Sequence, residues 1–167
     1  MLALPFFLGF AVCQVWAAVN DSRTMLIPNW ISVALLAGFM AITPLVWAGW
    51  EVFGWHLASG FGVFLIGFTM YALGFMGGGD AKLMSATAFW FVPHDLFSYA
   101  FTTAVAGGAL ALILLVGRKF IPVKLLTSQW LYKMFKDEKK MPYGIALAIG
   151  ALLTLPESDI YLRAMGG

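Results

Sequence analysis

A chain of 167 residues that is 62% hydrophobic and only 11% charged has too little charge to cover a water-soluble domain of its size. Its mean hydropathy is +0.88, and the apolar residues fall in blocks long enough to cross a bilayer. The expected class is therefore an all-α, polytopic membrane protein forming a single domain over residues 1–167. The net charge of +2 carries little by itself, because in a membrane protein the placement of Lys and Arg holds the information. Cys13 is the only cysteine, which excludes an internal disulfide and a CxxC zinc ribbon. His56 and His94 are isolated and read as interfacial residues, so no metal and no cofactor is expected, nor a nucleic-acid partner.

The first apolar run, Leu2–Val19, has no Lys or Arg before it, and its first basic residue, Arg23, comes after it. That order is wrong for a secretory signal and suits a retained helix whose N-terminus faces outward. Asp21 follows this run directly. The second and third runs, Trp30–Trp50 and Gly54–Met76, each have the roughly 20 residues that span a hydrocarbon core. Along the third, Gly60, Gly67 and Gly74 recur every seven residues and predict a stripe for close helix packing. Gly77, Gly78 and Gly79 cannot stabilise a helix, so they are expected to end this span and bring Asp80 close to another segment.

The runs Leu83–Val92 and Tyr143–Leu155 are shorter, and Leu96–Val116 between them is full length. Counted together, the runs predict six transmembrane helices. The connection from Arg118 to Lys140 holds Arg118, Lys119, Lys124, Lys133, Lys136, Lys139 and Lys140 against only Asp137 and Glu138, which read as solvated charges. By the positive-inside rule it is cytoplasmic. Within it Val123, Leu126, Trp130 and Met134 recur at helical spacing after Pro122, predicting an amphipathic helix in the cytoplasmic interface between the fifth and sixth spans. Counting back by pairs of spans puts the loops holding Asp80 and Asp21 on that same face, with both termini outside.

A carboxylate at membrane depth is costly and calls for a partner. Asp21 and Asp80 share a face and can meet; two carboxylates in one desolvated site cannot both ionise easily, so one keeps its proton. A charged carboxylate that takes a proton from water, beside a neutral one that protonates the substrate, suits peptide hydrolysis without metal or covalent nucleophile. The plainer alternative pairs Asp21 with Arg23 and Asp80 with Lys82 at the interface.

These residues resemble a known family. Gly77-Gly78-Gly79-Asp80 matches the GxGD motif of membrane aspartic proteases, and Ala81-Lys82-Leu83 continues it as prepilin peptidases do. Asp21-Ser22-Arg23-Thr24 followed by Ile27-Pro28-Asn29 is similar to their first-aspartate motif, and Pro142-Tyr143-Gly144 resembles the element opening their last helix. The resemblance covers the whole chain. It implies that Asp21 and Asp80 are the catalytic pair, supported by Gly77, Gly78, Gly79, Lys82, Pro28, Asn29, Pro142 and Gly144. It also implies an inner (cytoplasmic) membrane endopeptidase whose substrates are type IV prepilins, cut at the cytoplasmic face after a short basic leader ending in glycine. Large members also methylate the new N-terminus through an added segment with cysteine-bound zinc; with one cysteine and no such segment, peptidase activity alone is implied. The size resembles the dedicated peptidases of tight-adherence (Flp-type) pilus systems, and archaeal preflagellin peptidases share the core.

Signal-peptide-peptidase and presenilin relatives place a Tyr before the first Asp, inside a span. Here Asn20 precedes Asp21 at a span's end, which favours cutting near the membrane surface. Two other classes compete. A catalytically inert subunit of a pilus or secretion machine would be free to lose an aspartate, and a small carboxylate-relay transporter predicts acidic residues deeper in the spans. Either carboxyl can hold the shared proton, since a coupled pair titrates as a unit.

Overall fold

The computed structural model describes residues 2–120 and 141–166, which form seven α-helices and no β-strand among them. α1 (Leu4–Thr24) has proline in its first turn, where no N–H is needed. It ends at Met25, which turns left-handed (φ 57°) and closes its N–H on Asp21 O at 2.8 Å. Extended Pro28 caps α2 (Asn29–Ile42), which continues as a 3-10 turn over Thr43–Val46. There follow α3 (Trp50–Ala72), α4 (Gly78–Ala88), α5 (Pro93–Phe120), α6 (Tyr143–Thr154) and α7 (Asp159–Met165).

Two expectations about the glycines are corrected. Gly74 is not part of the α3 stripe; it lies past the helix end at φ 78°, with open space where a Cβ would project. Nor do the three later glycines terminate α3, which has already ended at Ala72. Gly78 and Gly79 are instead the first two residues of α4, and Gly77 is its N-cap. Gly60 and Gly67 do pack closely: the Phe89 ring fills the space beside Gly60, and a Cβ at Gly67 would lie 3.3 Å from both Ala81 Cβ and Met84 Cε.

Four stretches are long and apolar enough to cross a membrane: Leu4–Thr24, Asn29–Val46, Trp50–Ala72 and Pro93–Gly117. α6 with its following turn and α7, bent by 45°, makes a fifth if counted as one span. The expected six are not reached by length, because α4 has 11 residues and is about 16 Å long against a hydrocarbon core of about 30 Å. α4 is an interior helix, packed on α2, α3 and α6, with Ala81, Leu83, Ser85, Ala86, Thr87 and Ala88 buried. Small residues let three neighbours approach it. The amphipathic helix expected between the fifth and sixth spans falls on residues outside those described.

The core centres on Trp90, in the turn after α4. Its Nε1 donates to Leu35 O at 3.0 Å, and the Phe10 ring lies 4.8 Å away. The outer faces are apolar: Phe61, Leu65 and Phe68 on α3 and Leu112, Ile113 and Leu115 on α5 are exposed, as lipid contact requires. Trp47, Trp50 and Trp55 are exposed around the α2–α3 turn, in the manner of an interfacial belt. His56, read from sequence as interfacial, is buried instead: its Nδ1 lies 2.9 Å from Phe89 O and its ring packs on Phe39. His94 is exposed and pairs at 3.0 Å with the buried Asp95.

Candidate active site

Asp21 lies in the last turn of α1 with its side chain turned into the bundle, 5% exposed. Its Oδ2 accepts a hydrogen bond from Gly144 N–H at 2.8 Å. Gly144 is the second residue of α6, where N–H groups are free of intrahelical partners. Buried Pro142 caps that helix and fixes the approach. A side chain at Gly144 could not fit, since its Cβ would stand 2.9 Å from Asp21 Cβ.

Asp80 is the third residue of α4 and half-buried. Its carboxylate folds back towards Gly77, the N-cap, from the third helical position. A Cβ at Gly77 would stand 2.9 Å from Asp80 Oδ2, so glycine leaves the carboxylate room to fold back. Asp21 thus meets an N–H at the start of α6, and Asp80 lies in the first turn of α4, where the backbone favours negative charge.

The two aspartates line one cleft of about 720 Å³ at one end of the bundle, walled by the Met25–Asn29 turn, Tyr71, the three glycines and Lys82. A hollow beneath Trp47 and His56, lined by the opposite helix ends, admits only about 20 Å³. Of these two, the first has room for a peptide chain. The alternative ion pairs are not formed among the described residues: neither Arg23 nor Lys82 lies within bridging distance of an aspartate. Lys82 Nζ instead donates to Asn29 Oδ1 at 3.1 Å, tying α4 to the start of α2. Pro28 and Asn29 stand in the cleft wall beside Gly79, whose Cβ would lie 3.2 Å from Ile27 Cβ.

Three cleft residues had no predicted role. Asn20 donates from Nδ2 to Leu26 O at 2.9 Å, and Thr24 Oγ1 donates to Asn20 O at 2.9 Å, so together they brace the turn after Asp21. Tyr71 lies over Gly78, its ring 3.1 Å from where a Cβ would project. An aromatic near a span end reads from sequence as an interfacial belt residue, which hides this placement. His56 and His94 lie outside the cleft lining, and among the described residues no three His, Cys, Asp or Glu side chains converge.

The fold and the cleft define a multi-pass helical membrane protein with two carboxyl groups facing one recess. Residues 8–112 match the model of the type IV leader peptidase family, and the chain belongs to that family of peptidases. The matched stretch holds both aspartates and the glycine run and ends within α5, before Gly144. No curated protein and no solved structure matches the chain.

Proposed function

We propose that this protein is an aspartic endopeptidase of the cytoplasmic membrane that removes the short basic leader of Flp-type prepilins, with Asp21 and Asp80 as the catalytic pair. The observation that carries this reading is one cleft lined by both carboxylates, with Asp21 held by the helix-start N–H of Gly144. Asp21, which accepts the Gly144 N–H, serves as base, and Asp80 holds the proton. Asp21 takes a proton from water as the water oxygen bonds to the scissile carbonyl carbon. Asp80 gives its proton to the carbonyl oxygen, forming a diol; as the C–N bond breaks, Asp21 passes the water's proton to the departing nitrogen and the diol returns a proton to Asp80, which restores the pair.

Residues 1–167 act as a single domain crossing the bilayer six times. α4 makes its crossing inside the bundle, in contact with other helices instead of lipid. The Lys-rich stretch between α5 and α6 lies in the cytoplasm with the dyad, and both termini lie outside. That arrangement suits a substrate whose basic leader stays cytoplasmic while its apolar helix lies in the bilayer. Gly77, Gly78 and Gly79 give the substrate backbone access, and Lys82, Asn29, Pro28, Pro142 and Gly144 hold the two aspartate-bearing elements.

The test is co-expression with a pilin precursor. Asp21→Asn and Asp80→Asn should each abolish leader cleavage while the protein stays in the membrane, because an amide cannot act as base or acid yet is cheaper to bury. Processing near the wild-type rate by either variant overturns the assignment.

A further inference from the structure

The helices that carry the two aspartates meet through third parties. α2 packs on both α1 and α4, and so does α6. Among the described residues the direct hydrogen bond between α1 and α4 is deep in the bundle, where Gln14 Nε2 donates to Thr87 Oγ1 at 2.7 Å. Both side chains are fully buried.

The positions of this pair repeat those of the dyad. Gln14 precedes Asp21 by seven residues on α1, and Thr87 follows Asp80 by seven on α4. Seven residues are nearly two turns, so each polar side chain lies on the same face as its aspartate, about 10.5 Å further along its helix. Asp21 lies near the C-terminal end of α1 and Asp80 near the N-terminal end of α4, so the helices run in opposite senses here. The two offsets therefore lead to the same depth, where the side chains meet.

A hydrogen bond among apolar neighbours admits one register. A slip of one residue, about 1.5 Å along either helix, breaks it and leaves a buried donor unpaired. The surrounding contacts are mostly aliphatic and aromatic, such as Phe10 on Trp90, and tolerate small slides. Tyr99 of α5 lies beside Thr87 without completing a hydrogen bond, and the nearby bonds of Trp90 and Phe89 run to α2 and α3, so the Gln14–Thr87 pair is the hydrogen bond that sets α1 against α4 at this depth.

We infer that the Gln14–Thr87 hydrogen bond is a register clamp that sets the spacing of Asp21 and Asp80 two turns away. Gln14 and Thr87 are positioning residues, not catalytic ones, and the assignment rests on the dyad reading above. A reacting group displaced by about 1 Å loses about a hundredfold in rate, so a fraction of a residue of slip is enough to be seen.

The test uses the full chain in lipid nanodiscs with a pilin precursor bearing a basic leader ahead of an apolar helix. The variants are Thr87→Val, Thr87→Ser and the double variant Gln14→Leu/Thr87→Val, with Asp21→Asn as control. Thr87→Val leaves the Gln14 amide unpaired and should melt lower; the double variant removes both partners and should melt within a few degrees of wild type. The clamp predicts that kcat nevertheless stays down about tenfold in the double variant with KM within twofold, while Thr87→Ser, which keeps the hydroxyl, cleaves like wild type. A double variant that regains wild-type kcat along with its stability, beside an inactive Asp21→Asn, overturns the clamp and leaves the dyad standing. Cleavage by Asp21→Asn overturns the dyad and the clamp with it.

Discussion

Replacing Gly144 by Ala tests how tightly the site is held. The new Cβ would stand 2.9 Å from Asp21 Cβ and 2.9 Å from its Oδ2, where ordinary contacts need roughly 3.5 Å or more. The oxygen can swing aside, but Asp21 Cβ is fixed to the α1 backbone, so α1 and α6 must part by about 0.6 Å. That movement stretches the 2.8 Å bond from Gly144 N–H to Asp21 and displaces one carboxylate relative to the other. Overpacking of this kind lowers stability by about 1–3 kcal/mol. A displacement of half an ångström to one ångström at a reacting group costs about ten- to a hundredfold, or roughly 1.4–2.7 kcal/mol of transition-state stabilisation. KM should stay within about threefold, because Tyr71 and the Ile27–Pro28 wall are untouched. The assay is initial-rate leader cleavage in nanodiscs, normalised to folded protein by a melting curve. A Gly144→Ala variant with kcat within twofold of wild type would show that the α6 contact does not position Asp21.

Gly79→Val pushes methyl groups against Ile27, already 3.2 Å from a Cβ at that site, and should cut specific activity at least tenfold; Lys82→Ala, which loses only the tie to Asn29, should stay within about threefold. Gly60→Ala collides with Phe89, at the other end of α4 from Asp80, so it should lower the melting temperature while activity per folded molecule holds within twofold. With Cys13 first replaced, cysteines at Arg23 and Glu157 should label from opposite membrane faces, and labelling from one face refutes the proposed crossing pattern.

The sequence carried the long helices well, because a bilayer imposes a run length that composition reveals directly. α4 was harder to read. Its Leu83–Val92 run looked like a span, yet its last four residues lie past the helix, in the turn through Phe89–Phe91 and at Val92, and what makes it an interior helix is the smallness of Ala81, Ser85 and Ala86. Small residues in a membrane chain say that something packs closely and not what does. The glycine run misled in a related way: three glycines weaken a helix interior, but Gly78 and Gly79 occupy a first turn, where contact with Tyr71 and Ile27 decides. Motif resemblance supplied Gly144 without its reason, since 123 positions separate it from the carboxylate it meets. Gln14 left a trace that could have been followed, a lone amide in an apolar run seven residues before an aspartate.

The contact with Gly144 follows from the polarity of the helices. Asp80 sits at the start of α4, where the backbone presents free N–H groups to a carboxylate. Asp21 sits at the end of α1, where the backbone presents carbonyls and disfavours an anion. Two helices running in opposite senses cannot both offer N-termini to aspartates at the same membrane depth if one aspartate closes the first helix and the other opens the second. The missing donor must then come from a third helix that starts at that depth, and α6 is that helix. Its first turn must approach closely enough to touch Asp21, which forces glycine at position 144 and explains why buried Pro142 caps the approach. The cleft therefore requires α6, although both of its carboxylates lie in the first half of the chain. A chain cut before α6 should insert and still fail to cleave, with Asp21 left facing a helix end of the wrong sign.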